Sequence, residues 1–272
     1  MYPGRHIWVI IGCFLLPSSI YFTSGIHKDG LVFLMLAVLI FSVLQSFIKN
    51  SFSIKRIFLI CASLLLIFLL RNFVFLALLP ALFAWILSNR VKWRPVYIFV
   101  TVYLLCGLLV FNIDSVVEKI KPLAFISTRQ AEYLKLQRAA TQIELDTLQP
   151  GFKSFAGNAP QALNHALLRP YLWEMPVYSV LPLSVELFLY QFLLLLFIFF
   201  RRKDPDRSNQ GFLYFAVFFT LSVFLFMGYI VPNLGALVRY RSLFLPLIIT
   251  PILCCLDWEK VFKVLNIAKK HM

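Results

Sequence analysis

Residues 57–88 read IFLICASLLLIFLLRNFVFLALLPALFAWILS, an apolar tract broken only by Arg71-Asn72. As one helix it would run about 48 Å at 1.5 Å per residue, too long for a single crossing of a hydrocarbon core about 30 Å thick. Two short antiparallel helices turning at Arg71-Asn72 fit that core, and one helix kinked at Pro80 is the alternative. The choice decides on which side of a membrane every later connection falls. With a turn at Arg71, the clusters Lys49/Lys55/Arg56, Arg90/Lys92/Arg94, Arg201/Arg202/Lys203/Arg207 and Lys260/Lys263/Lys269/Lys270 share one side with Arg5. The opposite short turns then hold only Lys28, Arg71, Arg239 and Arg241. Basic residues are retained on the cytoplasmic side of bilayers, so the divided tract is the consistent reading.

Outward from this tract the apolar character persists. The chain is 61% hydrophobic and 14% charged, against roughly 45–50% and 25% for a soluble domain. Phenylalanine alone makes up 29 of its 272 residues, and mean hydropathy is +0.83. Too little polar surface remains to cover a water-soluble globule. The expected fold is an all-α integral membrane protein, one polytopic domain over 1–272 with a bundle of about eight transmembrane helices. The spans are placed at about 7–23, 31–48, 57–70, 72–88, 96–111, 179–200, 211–230 and 243–257, with both termini cytoplasmic. The first apolar run lacks a small-x-small cleavage site and reads as a retained span. The net charge of +14 is then topological, the lipid bilayer is the partner, and no nucleic acid is expected. Cys13, Cys61, Cys106, Cys254 and Cys255 all lie in apolar runs without metal-ligand spacing and read as small hydrophobes.

The one long polar stretch, 112–178, becomes an extracytoplasmic insert. Its pattern predicts a helix opened by a Ser127-x-x-Gln130 capping box, with Tyr133, Leu136, Ala140 and Ile143 on one face and an end at Pro150-Gly151. A second helix is predicted from Asn158 as N-cap to near Arg169, where Pro170 stops it. Trp173 and Tyr171 suit an interface belt.

Polar groups on the outer side carry the chemistry available. They are the turn holding His27, Lys28 and Asp29, the hairpin tip at Arg71, the Asn233 to Arg241 connection, and Arg169 to Glu174 at the exit of the insert. Glu186 falls roughly 20 Å above Arg201 at 1.5 Å per residue, within the hydrocarbon layer. An ionisable group there needs a partner, with Arg239 or Arg241 named first and Arg71 second. The plainer readings are a structural arginine pinning two helices, headgroup contact for Arg239 and Arg241, snorkelling for Lys28 and packing for His165. Arginines on separate outer connections beside carboxylates suit a phosphate-bearing substrate, because guanidinium donates in pairs and stays charged. A nearby carboxylate would serve as general base toward an acceptor hydroxyl. No nucleophilic triad, zinc motif or phosphate-binding glycine loop occurs, so no metal or cofactor is expected.

The run Pro17-Ser18-Ser19-Ile20-Tyr21-Phe22-Thr23-Ser24-Gly25-Ile26-His27-Lys28-Asp29 resembles a Pro-Ser…Ser-Gly-x-x-Lys-Asp segment of polytopic proteins from bacterial surface-polysaccharide clusters. These are O-antigen-polymerase-like and GT-C-type glycosyltransferase-like proteins. Leu168-Arg169-Pro170-Tyr171-Leu172-Trp173-Glu174 and Pro232-Asn233-Leu234-Gly235 with Arg239-Tyr240-Arg241 and Pro246 are similar to later segments of the group. The resemblance implies a glycan polymerase or glycosyltransferase of the bacterial inner membrane, acting on polyprenyl-diphosphate-linked sugars at its outer face, with other polysaccharide-assembly proteins as partners. Substrate would be held by Lys28, Arg71, Arg169, Asn233, Arg239 and Arg241, with Asp29, Glu174 or Glu186 as base. In such proteins the Lys-Asp turn lies well inside the chain, so the resemblance also implies a missing N-terminal part. A non-catalytic transport or assembly subunit for envelope polysaccharide is the alternative, and a structural partner docking through the insert is a third.

Overall fold

Each apolar tract forms helix, since backbone polar groups in lipid must be satisfied within the segment. The computed structural model describes residues 4–25, 27–49, 51–116, 121–135, 141–174, 181–202 and 207–270, with backbone only at 114–116, 207–209 and 265–270. Among the described residues there are 13 helices and no strands, only the isolated bridges Gln142↔Asn233 and Arg201↔Leu256. The helices are α1 (His6–Phe14), α2 (Pro17–Thr23), α3 (Lys28–Ile48), α4 (Ile54–Leu70), α5 (Asn72–Arg90) and α6 (Pro95–Val116). Next come α7 (Pro122–Leu134), α8 (Phe152–Leu167), α9 (Leu181–Phe200), α10 (Arg207–Ile230), α11 (Leu234–Ser242), α12 (Leu245–Cys255) and α13 (Trp258–Lys270).

Five of these, α3, α5, α6, α9 and α10, are long and apolar enough to cross a membrane. The count rises to seven if α1/α2, bent by 52°, and α11/α12, bent by 58°, are each one broken span. The tract 57–88 does divide at Arg71: α4 ends at Leu70 and α5 starts at Asn72, with Pro80 inside α5. At 17 residues α4 sits at the short end of what a crossing needs, about 17–25 residues. The first break follows from Pro17, whose missing N–H suits it to open α2 while ending the hydrogen-bond ladder of α1.

At the centre stands α10, with 61% of its apolar stretch buried against 17–39% for the other four long helices. Its Phe212, Phe215 and Phe219 meet Trp85 of α5 and Phe244 in a run of ring contacts. At Gly228 of α10 the backbone of α8 comes in close, since a Cβ there would lie 2.8 Å from Cα of Ala162. Small residues permit such backbone approach. Outward faces stay apolar and uncovered, as at Leu104 (63% exposed), Leu109 (65%) and Phe199 (77%), which suits a lipid surround. Cys254 and Cys255 are buried, whereas Cys61 is exposed on such a face.

The insert differs from its expected form. Pro122, not Ser127, opens α7, and Ser127 Oγ donates to the Ala124 carbonyl at 3.0 Å. Gln130 is instead a buried tie: its amide donates to the carbonyls of Tyr229 (2.8 Å) and Asp146 (3.0 Å), and its Oε1 accepts from Leu148 N–H (2.7 Å). Ile143 lies in an extended segment whose N–H donates to the Pro232 carbonyl at 2.8 Å; Leu136 and Ala140 lie outside the described residues. Likewise α8 starts at Phe152, which puts Asn158 inside the helix instead of capping it. One end of the bundle joins Arg202 N–H to the Cys255 carbonyl (2.8 Å) and Asp257 N–H to the Phe200 carbonyl (2.9 Å). At the other end the expected outer turns meet.

Candidate functional site

Three connections converge on Asp29, the second residue of α3, which is 0% exposed. Arg71, from the α4–α5 turn, donates through Nη2 to Oδ1 at 2.5 Å, and Arg239 of α11 donates through Nε to Oδ2 at 2.7 Å. One carboxylate thus faces two guanidinium groups, leaving the trio with one positive charge in excess. Arg71 also lies over the ring of Tyr240, 4.3 Å from its centroid, a cation–π contact that fixes the guanidinium plane.

Through Arg71 this trio reaches a cavity of about 750 Å³ between α5, α7 and the end of α10, which Asp29 and Arg239 do not line. Arg71, Lys121 and Arg129 supply its cations, Thr128, Tyr133 and Tyr240 its hydroxyls, and no carboxylate lines it among the described residues. Apart from Asn72 its remaining wall is apolar, with Phe73, Leu76, Phe125, Phe226, Met227 and Ile230. Pro122, Phe125, Ile126, Arg129 and Tyr133 recur at three- and four-residue steps, so one face of α7 roofs the space. Leu76 (62% exposed) and Phe125 (49%) make its rim apolar. Burial, and then Tyr240, push the Tyr133 hydroxyl up from its ordinary value.

A second cavity, about 510 Å³, is polar: Thr141, Gln142, Ile143, Glu144, Gln161, His165, Arg169, Glu174 and Leu234 line it. Here Arg169 pairs with Glu174 at 2.5 Å and donates through Nη1 to His165 Nε2 at 3.0 Å. Arginine cannot accept, so Nε2 is the acceptor and the imidazole is neutral with its proton on Nδ1. Burial, then the Arg169 charge, hold His165 below its ordinary value in agreement with that tautomer.

Glu186, expected to pair with an arginine, does not. Its carboxylate accepts from Ser18 N–H (3.1 Å to each oxygen), from Ser18 Oγ (2.9 Å) and from the Tyr190 hydroxyl. It caps the start of α2, where Pro17 leaves Ser18 as the first free donor. Arg241 is buried (3% exposed), and its Nη1 donates to the carbonyls of Ala166 (3.1 Å) and Arg169 (2.8 Å), closing the end of α8. Asn233 caps α11, accepting from Ala236 N–H (3.2 Å) and Thr141 Oγ1 (3.1 Å). Lys28 is exposed beside Asp29.

The expected residues therefore separate into an arginine cluster at Asp29, a polar cluster at Arg169 and Glu174, and structural ties at Glu186, Asn233 and Arg241. Lys121, Arg129, Tyr133, Tyr240 and Glu144 are site residues the sequence reading missed. The i, i+4 pair Arg129/Tyr133 carried a signal, since both fall on one face of the helix whether it starts at Pro122 or at Ser127. Fold and site define a polytopic helical membrane protein with an arginine-bordered, partly apolar cavity at one end. No family model matches the chain, and no curated protein or solved structure matches it.

Proposed function

We propose that this protein is a glycan polymerase or glycosyltransferase-like enzyme of the bacterial inner membrane, acting at the outer face on polyprenyl-diphosphate-linked sugars. In this reading eight spans cross the bilayer, with α4 and both bent pairs each counted once, and 112–178 is extracytoplasmic. The observation that carries it is the first cavity, where three cations and, among the described residues, no carboxylate face a largely apolar wall. An anionic head on a long apolar chain has that complementary chemistry, and phosphate is held by paired guanidinium donors.

Arg71, Arg129 and Lys121 hold the diphosphate, with Arg239 sharing Asp29 behind Arg71. The acceptor hydroxyl oxygen attacks the anomeric carbon and forms the new glycosidic bond. The bond from that carbon to the diphosphate oxygen breaks, its electron pair leaves on polyprenyl diphosphate, and the cations stabilise the developing charge. The hydroxyl proton passes to a carboxylate. Both oxygens of Asp29 are engaged by arginine, and Glu186 is closed in by Ser18 and Tyr190. Glu174 lines the second, polar cavity, with one oxygen on Arg169 and the other holding only a long 3.3 Å hydrogen bond from Tyr171 N–H, so in this reading it is the base and Asp29 a positioning residue. Transport would need charged groups along a path at mid-depth, and Glu186, the group expected there, is capped.

The test is binding of a fluorescent polyprenyl diphosphate to the purified protein, with glycan analysis of cells carrying Arg71→Ala. Weaker binding and shortened glycan are expected. Unchanged binding and chain length, with the variant stably expressed, would sink the reading.

A further inference from the structure

The 510 Å³ cavity beside α8 lies within the usual size of small-molecule sites, about 300–1,000 Å³, yet its chemistry is unlike that of the first. We propose that it binds a neutral saccharide, the acceptor in the reaction above; only the word acceptor rests on that reading.

Charge comes first. Arg169 is neutralised by Glu174 at 2.5 Å, His165 is neutral because its Nε2 accepts from Arg169, and Glu144 adds a second carboxylate to the lining. With one negative charge in excess the lining repels phosphate, and an uncharged ligand meets no such penalty. Shape of the polar groups comes second. Gln161, Glu144, Glu174 and Arg169 carry flat carboxamide, carboxylate and guanidinium ends, which give and take hydrogen bonds in pairs. Neighbouring hydroxyls on a pyranose present donors and acceptors at a matching spacing.

The floor also is rigid. Gln142 and Asn233 form a bridge, and Leu234 N–H donates to the Thr141 carbonyl at 3.0 Å. Finally, an aromatic platform adjoins Glu174 in the chain. Trp173 is 79% exposed and stacks on Tyr171 with centroids 4.8 Å apart and planes within 7°. Tyr171 is itself fixed, its hydroxyl donating to Asn164 at 2.5 Å and its N–H to Glu174 at 3.3 Å. The negative face of an indole meets the weakly positive C–H face of a sugar ring. An interface anchor would use the same Trp173, and the experiment separates the two.

The full chain in detergent micelles is probed by saturation-transfer NMR with the methyl glycosides of glucose, galactose, rhamnose and N-acetylglucosamine, without any prenyl lipid. At least one glycoside is expected to receive saturation. Glu144→Ala and Trp173→Ala, both at exposed positions that leave the fold intact, are each expected to weaken it about fivefold to tenfold, the size of one lost hydrogen bond or ring contact. Arg71→Ala is expected to leave it unchanged. Weakening by Glu144→Ala alone upholds the cavity and returns Trp173 to the interface. The proposal is overturned if none of the four glycosides binds, if binding survives both substitutions, or if it follows Arg71→Ala instead. Since no lipid diphosphate is present, these results are independent of whether the first cavity binds one.

Discussion

Asp29 and Glu186 are both carboxylates withdrawn from water, 0% and 8% exposed, and both stand where an acid would attract notice in a membrane protein. Their neighbours make them different objects. Asp29 lies between Arg71 and Arg239, so it is the counter-charge that holds two arginines in place at the edge of a cavity. Glu186 meets two hydroxyls and a backbone N–H, so it ends a helix and fixes the bend between α1 and α2. A buried charge is therefore interpreted by what neutralises it, and depth alone says little.

The largest expected effect comes from breaking the Asp29 side of this contrast. Asp29→Ala leaves Arg71, whose side chain is only 10% exposed, without its partner. Removing one member of a buried pair typically costs about 3–5 kcal/mol, because the other charge stays desolvated. Thermal unfolding of the purified variant in detergent should show that loss. A loss under about 1 kcal/mol, the range of exposed pairs, would mean that Arg71 is not held by Asp29 in solution.

Next in size is the effect on anion binding. Arg71 lines the first cavity, while Arg239, 38% exposed, does not. A hydrogen bond to a charged group contributes about 1.5–3 kcal/mol, so Arg71→Ala should weaken a polyprenyl diphosphate by about tenfold to a hundredfold. Arg239→Ala should weaken it less, acting only through Asp29. Fluorescence titration of both variants checks the order, and equal losses would place Arg239 at the phosphate itself.

Much of this arrangement was legible in the chain. The break at Arg71-Asn72 follows from length and charge, and the same argument places Lys28, Asp29, Arg71 and Arg239 at one end, where Asp29 indeed collects two arginines. What was not legible is which acid takes which base. Arg239 and Arg241 are two positions apart on α11 and so point to different sides of it. One reaches Asp29 and the other the end of α8, a division that depends on α8 packing at Gly228. The insert was misread for a similar reason. Gln130 fits a capping box locally, but its three hydrogen bonds run to Tyr229, Asp146 and Leu148, and no local pattern encodes partners that far along the chain. Glu144 gives no such signal because the pattern around it reads as helix, whereas 143–149 lie outside any helix.

The smallest expected effect is on the Glu186 side. Glu186→Gln keeps an acceptor oxygen for the Ser18 hydroxyl and the Tyr190 hydroxyl, both of which the carboxylate meets through Oε1. The new amide nitrogen takes the place of Oε2 and faces the Ser18 N–H, which loses one of its two 3.1 Å acceptors. The start of α2 also loses a negative charge, an effect of about 0.3–1 kcal/mol at a helix N-terminus. No guanidinium makes a direct ion pair with Glu186, and the buried Arg241 that feels its charge keeps its hydrogen bonds to the Ala166 and Arg169 carbonyls, so the total loss of stability should stay near 1 kcal/mol. Diphosphate binding and glycan chain length should match those of the unsubstituted protein. If Glu186→Gln abolished glycan synthesis while leaving the thermal midpoint and lipid binding unchanged, Glu186 would belong to the reaction, and Ser18 and Tyr190 would be positioning a base in place of anchoring a helix.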